Sequence, residues 1–529
     1  MVDNSTKRGS SESVPIPAAD FGIEKVTEIP SLPDFSEKRK IDIKYPLIKP
    51  YTYAHIHWDD DQKEVIYELK EPSLNLKEKH VLKELEKGLE ELINISFINI
   101  KDKEAVISYL EKNARVLLAE LGLKPPKEVF LKLMYYIYRD FVGLNRIEAL
   151  MNDYHIEDIE CNGSNLELYI VHRKYRNLKT NITFKSNDEL TSFVEKLSQK
   201  CGKYISYASP ILDGRLPDKS RVNATYTQDI SSRGPTFTIR KFTSEPWSPI
   251  KLIEVKTASP ELLAYLWLLI EYESNIVIIG GTGSGKTSFL NSIAFFIPPQ
   301  SRIVSIEDTH ELNLLHTNWL PSVSREATGV GAEGKFGEVS LFTLLKASFR
   351  QRPDYVIVGE IRGQEAFVLF QGAASGHPTM CTMHAEDVET MIRRLETPPI
   401  SLPPSLVETL DAVCVMAQTK INGQEVRRLK SVTEILKVGQ QVGSLEKNVP
   451  FVWDPKTDQF FFKKQSALFQ KLQREFGMDE KSIQKEFQRR TTLLWTLYKK
   501  GISGYSEVQK IISAYSKTPN EVLRRFNIP

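Results

Sequence analysis

Residues 277–288 read VIIGGTGSGKTS, an apolar run that breaks into glycines and then a lysine followed by two hydroxyls. The spacing Gly280-x4-Gly285-Lys286-Thr287 is that of a loop whose backbone N–H groups, with the positive end of the helix behind it, surround a polyphosphate. NIVIIG (275–280) is a short β-branched run and KTSFLNSIAFFI (286–297) is helix-like. Strand, loop and helix therefore occur in the order that a parallel α/β unit needs. This reading assigns nucleotide contact to Gly280, Gly281, Thr282, Gly283, Ser284, Gly285, Lys286, Thr287 and Ser288. Gly281, Gly283 and Gly285 are expected to turn with positive φ and to approach an anion closely. Lys286 is expected to reach the β- and γ-phosphates, and Thr287 to offer its hydroxyl to Mg²⁺.

A phosphate loop binds; hydrolysis also needs a polarised water and a group that senses the γ-phosphate. Three later apolar runs end in polar residues: RIVSIED (302–308) in Glu307 and Asp308, DYVIVGE (354–360) in Glu360, and TMCTMH (379–384) in His384. Ligands of an open parallel sheet sit beyond the carboxyl ends of its strands. Glu360 is then a candidate base or water-orienting group, Glu307 and Asp308 lie near Mg²⁺ and water, and His384 or His377 touches the γ-phosphate. Carboxylates that merely cap the following helix are the ordinary alternative, and three such strand ends after one phosphate loop argue against it.

The 529 residues suffice for two or three domains. Lys and Arg number 70 against 68 Asp and Glu, a net charge of +2, and that balance disfavours nucleic acid as a partner. Four scattered cysteines form neither a zinc pair nor a disulfide framework, which fits a reducing cytoplasm. ELLAYLWLLIEY (261–272) is too short to span a bilayer and no apolar signal run opens the chain, so membrane contact is expected to be indirect. Composition divides the chain into a flexible arm (1–40), a mostly helical subdomain (41–150), an α+β subdomain (151–242), a linker (243–249), the P-loop core (250–440) and a helical C-terminal subdomain (441–529). The arm's apolar island DFGIEKV (20–26) is expected to dock on a partner.

GGTGSGKTS, RIVSIEDTHEL, ASFRQRPDYVIVGEIRGQEA and ASGHPTMCTMHAED resemble the Walker A, Asp box, Walker B and His box of the type II/type IV secretion ATPase superfamily. DYHIEDIECNG and SPILDGRLPDKSRVNATY resemble the segment that precedes its ATPase core, while EPSLNLKE and RRTTLLWTLYKKGISGYSEVQKIISAY look closest to its archaeal branch, the archaellum motor ATPase. The resemblance implies a RecA-like core with ATP and Mg²⁺ as cofactors, in a cytoplasmic homo-hexamer peripheral to the membrane. It also implies a polytopic membrane platform protein and other filament-motor components as partners, for a filament that is assembled or rotated. Arg215, Arg221 and Arg240 fall in the segment before the core and are candidates to act on a neighbour's γ-phosphate, with Arg362 a fourth. Two features stand out: Gly359 precedes Glu360 where many Walker B strands have an aspartate, as is usual in this superfamily, and the zinc-binding cysteine cluster of some relatives is absent. A pilus-assembly or secretion ATPase without rotation, a RecA-like nucleic-acid translocase and a nucleotide-switched scaffold are the alternatives.

Overall fold

The computed structural model describes residues 21–528 apart from 27–29, 31, 34–36, 94–102, 243–244, 326–328, 332–333, 422–423, 440 and 464. They form two compact units that divide between Phe242 and Thr243.

The first unit is built on ten strands: β1 (Glu24–Lys25), β2 (Asp42–Lys49), β3 (Thr52–Asp59), β4 (Glu64–Lys70), β5 (Ile156–Cys161), β6 (Glu167–His172), β7 (Arg176–Thr183), β8 (Ile211–Arg215), β9 (Arg221–Thr225) and β10 (Thr236–Arg240). Their order is β1-β2-β3-β4-β7-β6-β5-β10-β9-β8. The sequence reading makes 41–150 mostly helical, yet three strands precede its helices. The pattern was there to see: Ala54 and Ile56 point into the core and alternate with Tyr53, His55 and His57. Because β4 pairs in parallel with β7, a single sheet crosses the expected subdomain boundary at 150. Asp153 pins that crossing. It is buried and accepts hydrogen bonds from Tyr45 on β2 at 2.7 Å, Tyr67 on β4 at 2.8 Å and the His155 amide at 2.8 Å.

Helices Leu76–Ile93, Lys103–Glu120 and Lys127–Ile137 make a second core through Leu85, Leu89, Leu110, Leu133 and Tyr135. The arm expected to be free is anchored at Phe21. Phe21 is buried in this core, its ring 5.5 Å from that of Tyr51, and its amide donates to Glu111 at 3.2 Å. An aromatic side chain in an otherwise polar segment lowers its free energy by leaving water wherever a matching apolar face lies within reach. Phe21 of the island is thus occupied inside its own unit. Residues 1–20 lie outside the described residues.

The second unit carries β11 (Ile276–Ile279), β12 (Ile303–Glu307), β13 (Trp319–Val323), a separate ribbon of β14 (Gly329–Gly331) and β15 (Gly334–Phe336), then β16 (Tyr355–Val358), β17 (Thr379–Met383), β18 (Ala412–Ile421), β19 (Gln424–Val438), β20 (Leu445–Asp454) and β21 (Gln459–Phe462). The nine-stranded sheet runs β13-β12-β16-β17-β11-β18-β19-β20-β21. It is parallel from β13 through β18 and antiparallel from β18 to β21. β11, β12, β16 and β17 are buried along their whole length, as strands covered on both faces must be. This is the P-loop α/β fold that the loop spacing demands. The segment expected to be helical from 441 opens with β20 and β21, and its helices start at Ala467. Nor is it an appendage. Helix Glu480–Lys499 buries Leu493, Leu494 and Leu497 in the same core as Trp267, over whose ring the Arg490 guanidinium sits at 5.1 Å.

Candidate nucleotide site

β11 ends at Ile279, and the chain then turns through Gly280, Gly283 and Gly285 at φ of 155°, 73° and 88°. A Cβ at Gly280 would lie 2.5 Å from the Met416 carbonyl on β18 and 2.6 Å from Ser284 Oγ, so the first turn has room only for glycine. Gly281, expected to need positive φ, does not adopt it, and a Cβ there would meet open space. Gly285 in the left-handed region is the N-cap of helix Lys286–Ile293. The first-turn N–H groups of that helix are those that helical geometry leaves without intrahelical acceptors. Two residues that motif reading passed over brace the loop from the β18–β19 hairpin: Arg427 Nε donates to the Gly283 carbonyl at 2.9 Å, and Gln418 Oε1 would stand 3.0 Å from a Cβ on Gly283. Nothing in the local sequence marks them, because they follow the loop by well over a hundred residues.

Lys286 leads into a chain of charged groups at the carboxyl ends of the parallel strands. Its Nζ donates to the carbonyls of Gly280 and Gly281 at 3.1 and 3.0 Å and lies 3.3 Å from Nδ1 of His384, the residue after β17. His384 Nε2 is 3.2 Å from Glu360 Oε1, and Glu360 Oε2 accepts from Arg362 Nη2 at 2.7 Å. Burial lowers the Lys286 pKa, against the pull of Glu360 and Glu311, and burial together with Lys286 lowers that of His384. Burial raises the Glu360 carboxyl, but the Arg362 hydrogen bond and the Arg362 and Lys286 charges outweigh it, so Glu360 titrates below its ordinary range. A neutral His384 that gives Nε2–H to Glu360 and accepts at Nδ1 from Lys286 fits both partners. Arg394 adds a hydrogen bond to the His384 carbonyl.

The other candidates separate. Glu307 ends β12 beside this chain, but both its oxygens are engaged: Oε1 accepts from the amides of Glu311 at 2.9 Å and Leu312 at 2.8 Å, and Oε2 faces His310 Nδ1 at 3.2 Å. It holds the turn after β12, a duty different from the expected base and metal ligand. Gly359 is explained by the same residue, since a Cβ there would come within 3.2 Å of Glu307 Cγ. Asp308 is exposed and takes Ser324 Oγ on Oδ1 at 3.2 Å. His377 does not belong to the site. It precedes β17, its ring packs edge-on against Phe349 at 5.1 Å, and seven residues at about 3.3 Å each put it roughly 20 Å from His384. Arg215, Arg221 and Arg240 lie in the first unit as one cross-strand row, Arg215 opposite Arg221 and Arg221 opposite Arg240. Arg221 pairs with Asp213 at 2.6 Å and Arg240 with Asp158 at 3.1 Å.

The donor set can be matched to its ligands. Three positive-φ glycines, a helix N-terminus and a buried lysine fit a polyphosphate. The Thr287 hydroxyl and the Asp308 carboxylate are the hard oxygen donors suited to Mg²⁺, and the engaged oxygens of Glu307 are not.

The family model described as "Type II/IV secretion system protein" matches residues 142–500. An uncharacterized protein of Methanocaldococcus jannaschii is 39% identical over 388 residues, 73% of this chain and 69% of that protein. The type IV secretion system protein PtlH of Bordetella pertussis is 29% identical over 273 residues, 46% of this chain and 79% of its own. Among solved structures, the VirB11 ATPase of the Brucella suis type IV secretion system is 22% identical, covering 53% of this chain and 89% of that one at a TM-score of 0.28. The chain belongs to the type II/IV secretion system protein family. Among the described residues, no helix is long and apolar enough to cross a membrane.

Proposed function

We propose that this protein is a Mg²⁺-dependent ATPase in which attack of water on the γ-phosphate drives a conformational change. The observation that carries the reading is the unbroken chain Lys286–His384–Glu360–Arg362 at the mouth of a glycine loop that ends in a helix N-terminus. Lys286 would leave the loop carbonyls for the β- and γ-phosphates. Glu360, held ionised at neutral pH by Arg362, suits orienting a water more than removing its proton outright. His384, bonded to both, would report γ-phosphate occupancy from the lysine to the carboxylate. Mg²⁺, held by Thr287 and Asp308, would supply charge neutralisation of the phosphates.

Resemblance to the archaellum motor ATPase supports a cytoplasmic, membrane-peripheral homo-hexamer that works on a polytopic platform protein to assemble or rotate a type IV pilus-like filament. The similarity to PtlH supports a secretion duty without rotation as the second reading. Phosphate release by the purified chain tests the chemistry. Lys286→Ala should lose turnover and weaken triphosphate binding, whereas Glu360→Gln should bind ATP and hydrolyse it about 10²- to 10⁴-fold more slowly. Normal turnover in Lys286→Ala would end the assignment. In cells, loss of motility on gene deletion, with secretion intact, separates the two duties.

A further inference from the structure

Within the first unit, the β2–β4 hairpins hold a cluster of ligating side chains. The alternation that buries Ala54 and Ile56 sends His55 and His57 to the opposite face of β3, where their rings stack with centroids 4.2 Å apart. Glu68 stands opposite His55 on β4, and Asp42 opposite His57 on β2. His55 Nε2 lies 2.7 Å from Asp42 Oδ1. With Nε2–H donating there, the neutral ring turns a lone pair at Nδ1 toward Glu68 Oε2, 3.4 Å away. A lone pair facing a carboxylate is repulsive unless a cation lies with them. His55 Nδ1 and His57 Nδ1 are, moreover, both buried atoms with no hydrogen-bond partner. Lys70 bonds the other carboxylate oxygen, Oε1, and so holds Oε2 toward the ring.

We propose that His55 Nδ1, His57 and Glu68 bind one divalent cation of the zinc class, with Asp42 and Lys70 as the outer partners that orient them. Two imidazole nitrogens and a carboxylate oxygen suit a borderline ion such as Zn²⁺, and a carboxylate behind a ligating histidine is the arrangement that fixes its tautomer. The ligand atoms of the three residues lie within 4.8 Å of one another. Donors bound at about 2.0–2.2 Å stand no more than about 4 Å apart, so the side chains close up by about an ångström. A hydrogen at Nδ1 would serve His55 alone, whereas one dication serves both nitrogens and Glu68 together. The ion would tie β3 to β4 across their register, a structural clasp independent of ATP turnover.

Full-length protein stripped of metal and titrated with Zn²⁺, then with Co²⁺ as a spectroscopic probe, tests this. Wild type should bind an ion that His57→Asn and His55→Gln bind more weakly by about tenfold or more, and Asp42→Asn, which removes no ligand, should weaken binding by roughly 10- to 100-fold. The visible Co²⁺ bands of wild type should be missing from the two histidine variants, with ATP hydrolysis unchanged. A measurement on wild type alone guards against misfolded variants: Zn²⁺ should protect His55 and His57, but not exposed His80, from carbethoxylation by diethyl pyrocarbonate as mapped by mass spectrometry. Equal Zn²⁺ affinity in the variants, or no protection in wild type, would overturn the site.

Discussion

Glu307 and Glu360 end neighbouring strands of one sheet and have opposite occupations. Glu360 shares its oxygens with two side chains that can move away, His384 and Arg362, while Glu307 gives one oxygen to two backbone amides that cannot and turns the other to His310. Glu307→Leu should therefore damage the fold first, since it leaves the amides of Glu311 and Leu312 without their acceptor at a cost of about 1–3 kcal/mol each. Thermal unfolding of the variant checks this. An unchanged melting temperature with lost turnover would return Glu307 to the chemistry. In the first unit, His172 carries the clearest pH signature. Burial pushes its pKa down to about 3, so the folded state favours the neutral ring. Its contribution to stability is complete above the ordinary histidine value near 6.5 and is lost as pH falls from there toward 3. The expected slope is at most about 1.4 kcal/mol per pH unit. Urea midpoints at pH 7, 6 and 5 should fall more steeply for wild type than for His172→Asn. Parallel curves would mean that the ring takes up its proton over the same pH range folded and unfolded.

Elements show why the phosphate loop could be read from sequence and its surroundings could not. The loop's restrictions are local: Gly280 and Gly285 adopt φ values that other residues rarely take, and the helix begins at the next residue. Gly280→Ala should abolish triphosphate binding, because its Cβ meets the Met416 carbonyl at 2.5 Å, whereas Gly281→Ala, facing open space, should bind an ATP analogue nearly as wild type does. Titration with a fluorescent nucleotide compares them, and equal affinities would show that the turn can shift. The strand ends were legible for the same reason, since an apolar run followed by an acid or a histidine is a local pattern. His377 was misplaced because it lies just ahead of the run that forms β17, where composition does not tell the entrance of a strand from its exit. Arg427 and the seat of Phe21 depend on contacts between segments distant in sequence, which no periodicity reports. Phe21 supplies its own test. Removing a buried aromatic from a packed core costs about 3–5 kcal/mol, so Phe21→Ala should lower the first unfolding transition while leaving nucleotide affinity unchanged. A variant that unfolds like wild type would show that the helical core closes without the arm.

For the whole molecule, the arginine row is the feature that nucleotide chemistry leaves unclaimed. Three guanidiniums stand side by side across β8, β9 and β10, opposite residues of neighbouring strands, where directly facing side chains lie about 4.5–5.5 Å apart at Cβ. Like charges in that position repel, and the ion pairs of Arg221 with Asp213 and of Arg240 with Asp158 offset this. A row of guanidiniums suits an anion with several negative oxygens, such as a γ-phosphate held by a neighbouring chain. Arg221 would exchange Asp213 for that phosphate. Its substitution by alanine should then lower turnover by about 10³-fold or more while leaving the chain's own triphosphate affinity near wild type, because Lys286 and the loop are intact. Mixing makes the geometry testable. Lys286→Ala and Arg221→Ala subunits, each inactive alone, should recover part of the activity when ring subunits exchange, since some interfaces then combine an intact loop with an intact arginine. Arg215→Ala, mixed in the same way, asks whether its neighbour in the row shares the task. Recovery that scales with the fraction of mixed interfaces supports action across subunits. Full turnover by Arg221→Ala alone removes that residue from the chemistry, and two inactive partners that exchange without recovery place the arginine and the loop in the same chain's cycle.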